Sequence, residues 1–178
     1  QKAMDGARVQ LIRSLGEKPG SHRFAVYSPV NEDDEDIYVH AKLTIVDDRI
    51  LRIGSANMNN RSLGLDSECD LVIDTGQPGN SEVQAVIRSI RVRLMGEHLD
   101  REPSEIESAL ANGQSMIETI ASAGQTGRRL VRLELEELTD AQKFIADNEL
   151  LDPDSPDAFF EPLGQRGLFR KRWLRQPD

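Results

Sequence analysis

The sequence has 178 residues and a single cysteine, Cys69, which excludes an internal disulfide framework and any cysteine-rich metal knuckle. Aromatic residues make up only 4% of it, so Leu, Ile and Val must build the core. No uninterrupted apolar run approaches the roughly 18–20 residues needed to span a bilayer. The chain opens on Gln1, and no charged-then-apolar signal segment follows. Positive charge is in deficit, with 22 Lys and Arg against 31 Asp and Glu, for a net −9. That balance argues against nucleic acid as a partner, because non-specific binding is driven by Lys and Arg neutralising phosphates. The length suits one ordinary domain and is short for two enzyme lobes, so the expectation is a piece of a longer protein.

The charge is uneven. Arg166, Arg170, Lys171, Arg172 and Arg175 against Asp178 give the last fourteen residues a net +4, which leaves −13 on the rest. Acid concentrates in Asn31–Asp36, Glu134–Asp140 and Asp147–Asp157, runs that ordinarily form solvated loops or faces. In the tail, Leu168, Phe169, Trp173 and Leu174 interleave with the cations. That composition suits the interface of an anionic membrane, against the plainer reading of a solvated helix.

Periodicity predicts a helix over Met4–Leu15, ended by Gly16 and Pro19-Gly20, and a short strand over Arg23–Val30 that stops at Pro29. Two strands, Ile37–Asp47 and Arg49–Gly54, should join through a tight turn at Asp47-Asp48, and Glu68–Asp74 reads as another strand. A long amphipathic helix is expected over Ser81–Leu99, capped by Ser81, with Val83, Val86, Ile87, Ile90 and Leu94 inward. A second is expected over Ser104–Ala123, with Ser104 and Glu107 at capping-box spacing. Gly127–Leu138 fits helix or strand, Asp140–Asn148 a helix, and Asp152–Pro162 irregular chain.

The chemistry concentrates between Val39 and Leu71. Alternation along a strand places His40 and Lys42 on one face and Val39, Ala41, Leu43 and Ile45 on the other, as core. A His and a Lys interrupting an apolar strand are costly to bury unless they line a wet or anionic site. The next strand ends in Gly54-Ser55-Ala56-Asn57, where backbone N–H, hydroxyl and amide donors can converge. Such a donor-rich pocket, with no obvious metal-ligand set, suits a phosphate oxyanion. Singly, each residue has an ordinary role: a half-buried strand histidine, a lysine blunting a sheet edge, a plain turn, Asn57 as a helix cap. Together, in one order and spacing, those ordinary roles explain the set poorly.

The order His40-x-Lys42-x4-Asp47, then Gly54-Ser55-x-Asn57 and Glu68, resembles the HxKxxxxD signature of the phospholipase D superfamily. The wider run resembles the second such motif of bacterial phospholipases of the eukaryotic-like type. The likeness is strong over Ile37–Ile73 and returns faintly at Leu151-Asp152-Pro153. It implies an α/β fold, a phospholipase D-like mixed β-sheet flanked by helices. This would be one lobe of a pseudo-twofold, two-lobe enzyme, with a helical C-terminal extension. The boundaries that follow are 1–100 for the catalytic lobe, 101–164 for the extension and 165–178 for the basic tail.

The resemblance further implies phosphodiester exchange through a phosphohistidine, with no metal or organic cofactor. His40 would be the general acid–base, and the nucleophile would lie on a missing N-terminal half carrying a second H-x-K; the swapped assignment stays open. Lys42, Ser55 and Asn57 would bind the phosphate of a phospholipid substrate, and Glu68 would hydrogen-bond His40 and fix its tautomer. Asp47 and Gly54 would be structural, Asp47 holding the turn or a nearby helix, and Arg61 and Ser62 would tie down the loop after Asn57. His22 and His98 lack the x-Lys partner and read as surface or helix residues. The location implied is cytoplasmic or membrane-associated. Alternatives are a cardiolipin-synthase-like transferase, which differs only in the acceptor alcohol; a homodimeric single-motif nuclease; and an inactive membrane-interaction module. The nuclease is disfavoured by the negative charge and the 39 residues before His40, and the inactive module by an intact motif.

Overall fold

The computed structural model describes residue 9, residues 11–133 and residue 139. The chain divides into a larger unit, Pro19–Ser55 with Asp70–Glu134, and a smaller one, Gln1–Lys18, Ala56–Cys69 and Leu135–Asp178. In the smaller unit residues 11–16 are helical, and the expected start of that helix at Met4 lies outside the described residues. So do the expected helix Asp140–Asn148, the irregular stretch Asp152–Pro162, the Leu151-Asp152-Pro153 run and the basic tail.

The larger unit has the α/β architecture expected, with its strands in two antiparallel ladders. Strands β2 (Lys42–Val46), β3 (Ile50–Gly54) and β4 (Asp70–Asp74) form one sheet in that order. Its register sets Lys42 opposite Gly54 and Gly54 opposite Asp70, with Leu43, Ile53 and Leu71 as the neighbouring row. Alternation then puts Lys42, Thr44, Arg52 and Asp70 on one face and Leu43, Ile45, Leu51, Ile53, Leu71 and Ile73 on the other.

Strand β2 is shorter than expected. The ladder begins at Lys42 because β3 ends at Gly54, so residues 37–41 have no strand to pair with. Val39 and Ala41 are therefore exposed rather than core, and Leu43 is exposed as well. Leu51 is the buried residue of the apolar face. Strand β4 likewise starts at Asp70, two residues after the expected Glu68.

Asp47 and Asp48 form the β2–β3 turn, both with φ at 53°, in the left-handed region that Asp tolerates better than most side chains. The Arg49 N–H donates to the Val46 carbonyl at 2.9 Å. The helix contact expected of Asp47 is made by Asp48. Its carboxylate accepts from Arg91 Nε at 2.6 Å and from Nη2 at 2.7 Å. Asp47 itself is exposed. Arg91 lies in α2 (Gln84–Leu99), so this two-pronged bond clamps the turn onto the helix.

Helix α2 follows a 3-10 turn over Ser81–Val83, within which Ser81 lies, so Ser81 is not its cap. Its buried side chains are Ile87, Val92, Met95 and Leu99, whereas Val86, expected inward, is exposed. The α2 residues Val92, Met95 and Leu99 join Ile106 of α3 (Pro103–Ala111) in the core, with Leu110, Ile120 and Leu130 packed around them. The core thus comes from helix on helix more than from the motif-bearing strand.

The expected second helix is two helices. Gly113, with φ at 89°, ends α3 and opens the way to α4 (Met116–Ser122). The capping box belongs to α4: Ser115 Oγ accepts from the Glu118 N–H at 3.2 Å, and Glu118 Oε2 accepts from the Ser115 N–H at 2.7 Å. Helix α3 begins instead with Pro103 after Glu102, a favoured first-turn position for proline.

The second ladder pairs β1 (Tyr27–Val30) with β5 (Arg129–Arg132), which resolves the Gly127–Leu138 ambiguity in favour of a strand for 129–132. Pro29 sits inside β1 rather than ending it. The bond from the Leu133 N–H to the Val26 carbonyl sets the alternation, so Pro29 faces away from β5 and needs no N–H there. Its carbonyl accepts from Ile37 at 2.9 Å.

Two outcomes test this packing. A Cβ on Gly96 would lie 2.7 Å from the Arg101 carbonyl oxygen, where the chain reverses from α2 into α3. Gly96→Ala should therefore lower stability by about 1–3 kcal/mol in denaturant titration, while Gly64→Ala, with nothing within 4 Å, should not. The hydrogen bond from Arg91 holds the Asp48 carboxyl below its ordinary value. Its stabilisation is then full above about pH 4, the unfolded value, and is lost as pH falls through the lowered folded value. Asp48→Asn should cost about 2 kcal/mol at neutral pH, and the gap from wild type should narrow in acid.

Candidate active site

In the larger unit His40, Lys42, Gly54 and Ser55 lie at one end of the β2–β3–β4 sheet, and Asp47 in the turn at the other. Lys42 opens β2 opposite Gly54, and Ser55 bends the chain away directly after it. His40 precedes the strand and is exposed. Its ring stacks on Tyr38, with centroids 6.0 Å apart and planes inclined by 30°. Lys42 Nζ donates to the His40 carbonyl oxygen at 2.8 Å, folding the His-x-Lys segment on itself. Alternation along one strand therefore does not by itself set His40; the Tyr38 ring and the Lys42 ammonium flank it.

Beside Lys42, on the same face, Arg52 Nη2 pairs with Asp70 Oδ2 at 2.8 Å, with side chains 25% and 22% exposed. Sequence reasoning missed this pair. The available signal was that Arg52 interrupts the apolar strand Ile50–Gly54 as Lys42 interrupts its own. The register places Asp70 next to Gly54, and so Arg52 and Asp70 close the polar face behind the lysine.

In the smaller unit, Asn57 and Glu68 lie on the segment Ala56–Cys69. Its one helix, α1 (Asn60–Gly64), is capped by Asn59 rather than by Asn57. Asn59 Oδ1 accepts from the Ser62 N–H at 2.8 Å. Arg61 Nη2 pairs with Asp66 Oδ1 at 2.9 Å, and the Arg61 carbonyl accepts from both Leu65 and Asp66. Asn57 is exposed, and its Nδ2 donates to the buried Ser62 Oγ at 3.5 Å. Glu68 is half-buried where the segment leads into β4, and Cys69 beside it is exposed.

Within each unit, then, the structure brings together Lys42, Gly54 and Ser55, and separately Asn57 with Ser62. His22 lies in the 3-10 turn Ser21–Arg23, and His98 is in the last turn of α2. Among the described residues, no three His, Cys, Asp or Glu side chains converge as a metal site. No helix among them is long and apolar enough to cross a membrane.

The chain is 38% identical over 115 residues to phospholipase D1 of Schizosaccharomyces pombe, covering 60% of this chain and 8% of that protein. It is 42% identical over 80 residues to phospholipase D zeta 2 of Arabidopsis thaliana, covering 40% of this chain and 8% of the relative. With phospholipase D A of Dictyostelium discoideum the identity is 43% over 75 residues, covering 36% and 6%. The chain thus spans less than a tenth of the length of these eukaryotic relatives. No solved structure matches it significantly. A family model described as phospholipase D matches residues 11–136, the span that contains both ladders, the helices α1 to α4 and every motif residue from His40 to Glu68. The chain belongs to the phospholipase D family.

Proposed function

We propose that the chain supplies one half-site of a phosphodiesterase that hydrolyses or transfers phosphatidyl groups, with His40 as its general acid–base. The observation that carries this reading is the register that sets Lys42 opposite Gly54, with Ser55 directly after Gly54 and an exposed His40 just before β2. The ammonium at the start of β2, the imidazole just before it and the hydroxyl just after β3 lie at one sheet end, a donor set suited to a phosphodiester. Of the chain's three histidines, His40 alone is followed by x-Lys. The nucleophile is therefore assigned to a second His-x-Lys segment outside this chain.

In the first step the partner imidazole attacks phosphorus. A P–N bond forms, the P–O bond to the leaving alcohol breaks, and His40 gives that oxygen its proton. In the second, water or an acceptor alcohol attacks phosphorus, His40 takes its proton, and the P–N bond breaks. Lys42 turns from the His40 carbonyl to the non-bridging oxygens as a point charge. Ser55 and Asn57 add hydrogen bonds that strengthen as charge develops. Glu68 holds the His40 tautomer, as an acid does in other catalytic histidine pairs. The substrate is a phospholipid, and the cationic, apolar run of residues 165–178 meets an anionic membrane surface.

In the full-length protein, with phosphatidylcholine in mixed micelles as substrate, His40→Asn should abolish turnover and leave the thermal midpoint unchanged. Lys42→Ala should lower kcat by about 10²–10³, or about 3–4 kcal/mol of transition-state stabilisation. Wild-type turnover in His40→Asn would refute the role. Flotation with liposomes containing phosphatidylserine, with and without residues 165–178, tests the tail, and equal flotation would remove it from the reading.

A further inference from the structure

The short helix α1 carries more polar contacts than a five-residue helix needs to close. The Asn59 cap bonds the Ser62 N–H, and the Arg61–Asp66 pair and the doubly accepting Arg61 carbonyl secure the far end. One contact adds nothing to that closure. Ser62 Oγ reaches back to the amide of Asn57, ahead of the helix, from a residue only 7% exposed. The hydroxyl is fixed and desolvated, whereas the amide it holds is exposed.

We infer that Ser62 is a positioning residue that acts through Asn57, aiming its amide at the phosphodiester; the inference rests on the phosphate-binding role proposed for Asn57. A carboxamide nitrogen has two N–H groups. One given to Ser62 Oγ leaves the other, with the rotamer set, for a non-bridging oxygen. An exposed Asn without such an anchor samples several rotamers, and ordering it would oppose binding of the transition state. The 3.5 Å separation is long for an N–H···O bond, and catalytic contacts of this kind shorten when substrate engages. Burial of Ser62 lets the hydroxyl hold its partner without competition from bulk water.

The test uses the full-length protein and phosphatidylcholine micelles. Ser62→Ala should lower kcat about tenfold with KM little changed. Ser62→Thr, which keeps the hydroxyl, should recover most of that loss at a similar thermal midpoint. In a double-mutant cycle, adding Ser62→Ala to Asn57→Ala should cost nothing further, because the amide it aims is already gone. Additive losses, or equal kcat in the Ala and Thr variants, would overturn the inference while leaving Asn57 as a phosphate ligand. Wild-type turnover in Asn57→Ala would overturn the ligand assignment itself, and this inference with it. Should Ser62→Ala fail to fold, Ser62→Cys at near-equal volume carries the same comparison with Thr, the weak thiol acceptor standing for the lost hydroxyl.

Discussion

The β2–β3 register is the constraint on which the polar end of the sheet depends, because side chains alternate with a period of two. A slip of one residue would send Lys42 and Thr44 to the apolar face and bring Leu43 in their place. Two features hold the register at the far end of the hairpin. Asp47 and Asp48 take left-handed backbone that shapes the turn, and the bidentate Asp48–Arg91 bond fastens it to α2. Arg91 in turn is carried by the helix that supplies Val92, Met95 and Leu99 to the core. Positional order thus runs from the helical core, through one ion pair, along β2 to Lys42.

That arrangement separates what stabilises the larger unit from what would act on substrate. Burial is concentrated where α2 meets α3, with Ile106 and Leu99 each 2% exposed. The sheet end with Lys42 and Gly54 contributes little apolar burial, and His40 stands exposed ahead of it. Donors there remain able to meet a charged group without the cost of a fully buried cation. The Arg52–Asp70 pair keeps the same polar face neutral beside Lys42, so the lysine's charge is not added to another unpaired cation. In the smaller unit the order is local: caps and an ion pair within Asn59–Asp66 hold a loop too short to be held by helix propagation.

The motif residues were legible because their spacing is local. His40, Lys42, Asp47, Gly54, Ser55, Asn57 and Glu68 lie within one short stretch, and two strands with a turn follow from the same alternation. Boundaries were less legible. The strand expected from Ile37 begins at Lys42 because its partner strand ends at Gly54, which no property of residues 37–41 announces. The expected long helix over Ser104–Ala123 reads as continuous until Gly113 takes a positive φ and hands the capping box to Ser115 and Glu118. Arg52 and Asp70, and Asp48 with Arg91, are distant in sequence, and only chain pairing or packing brings each together.

Residue order alone determined the family likeness, the donor types and the sheet-helix class, because motif spacing and apolar period are properties of neighbours along the chain. Tertiary structure decided which acid grips α2, where β2 begins and where the core sits. Those outcomes depend on contacts between residues far apart in sequence, such as Asp48 with Arg91, and their energies exceed the local preferences that a linear reading can weigh.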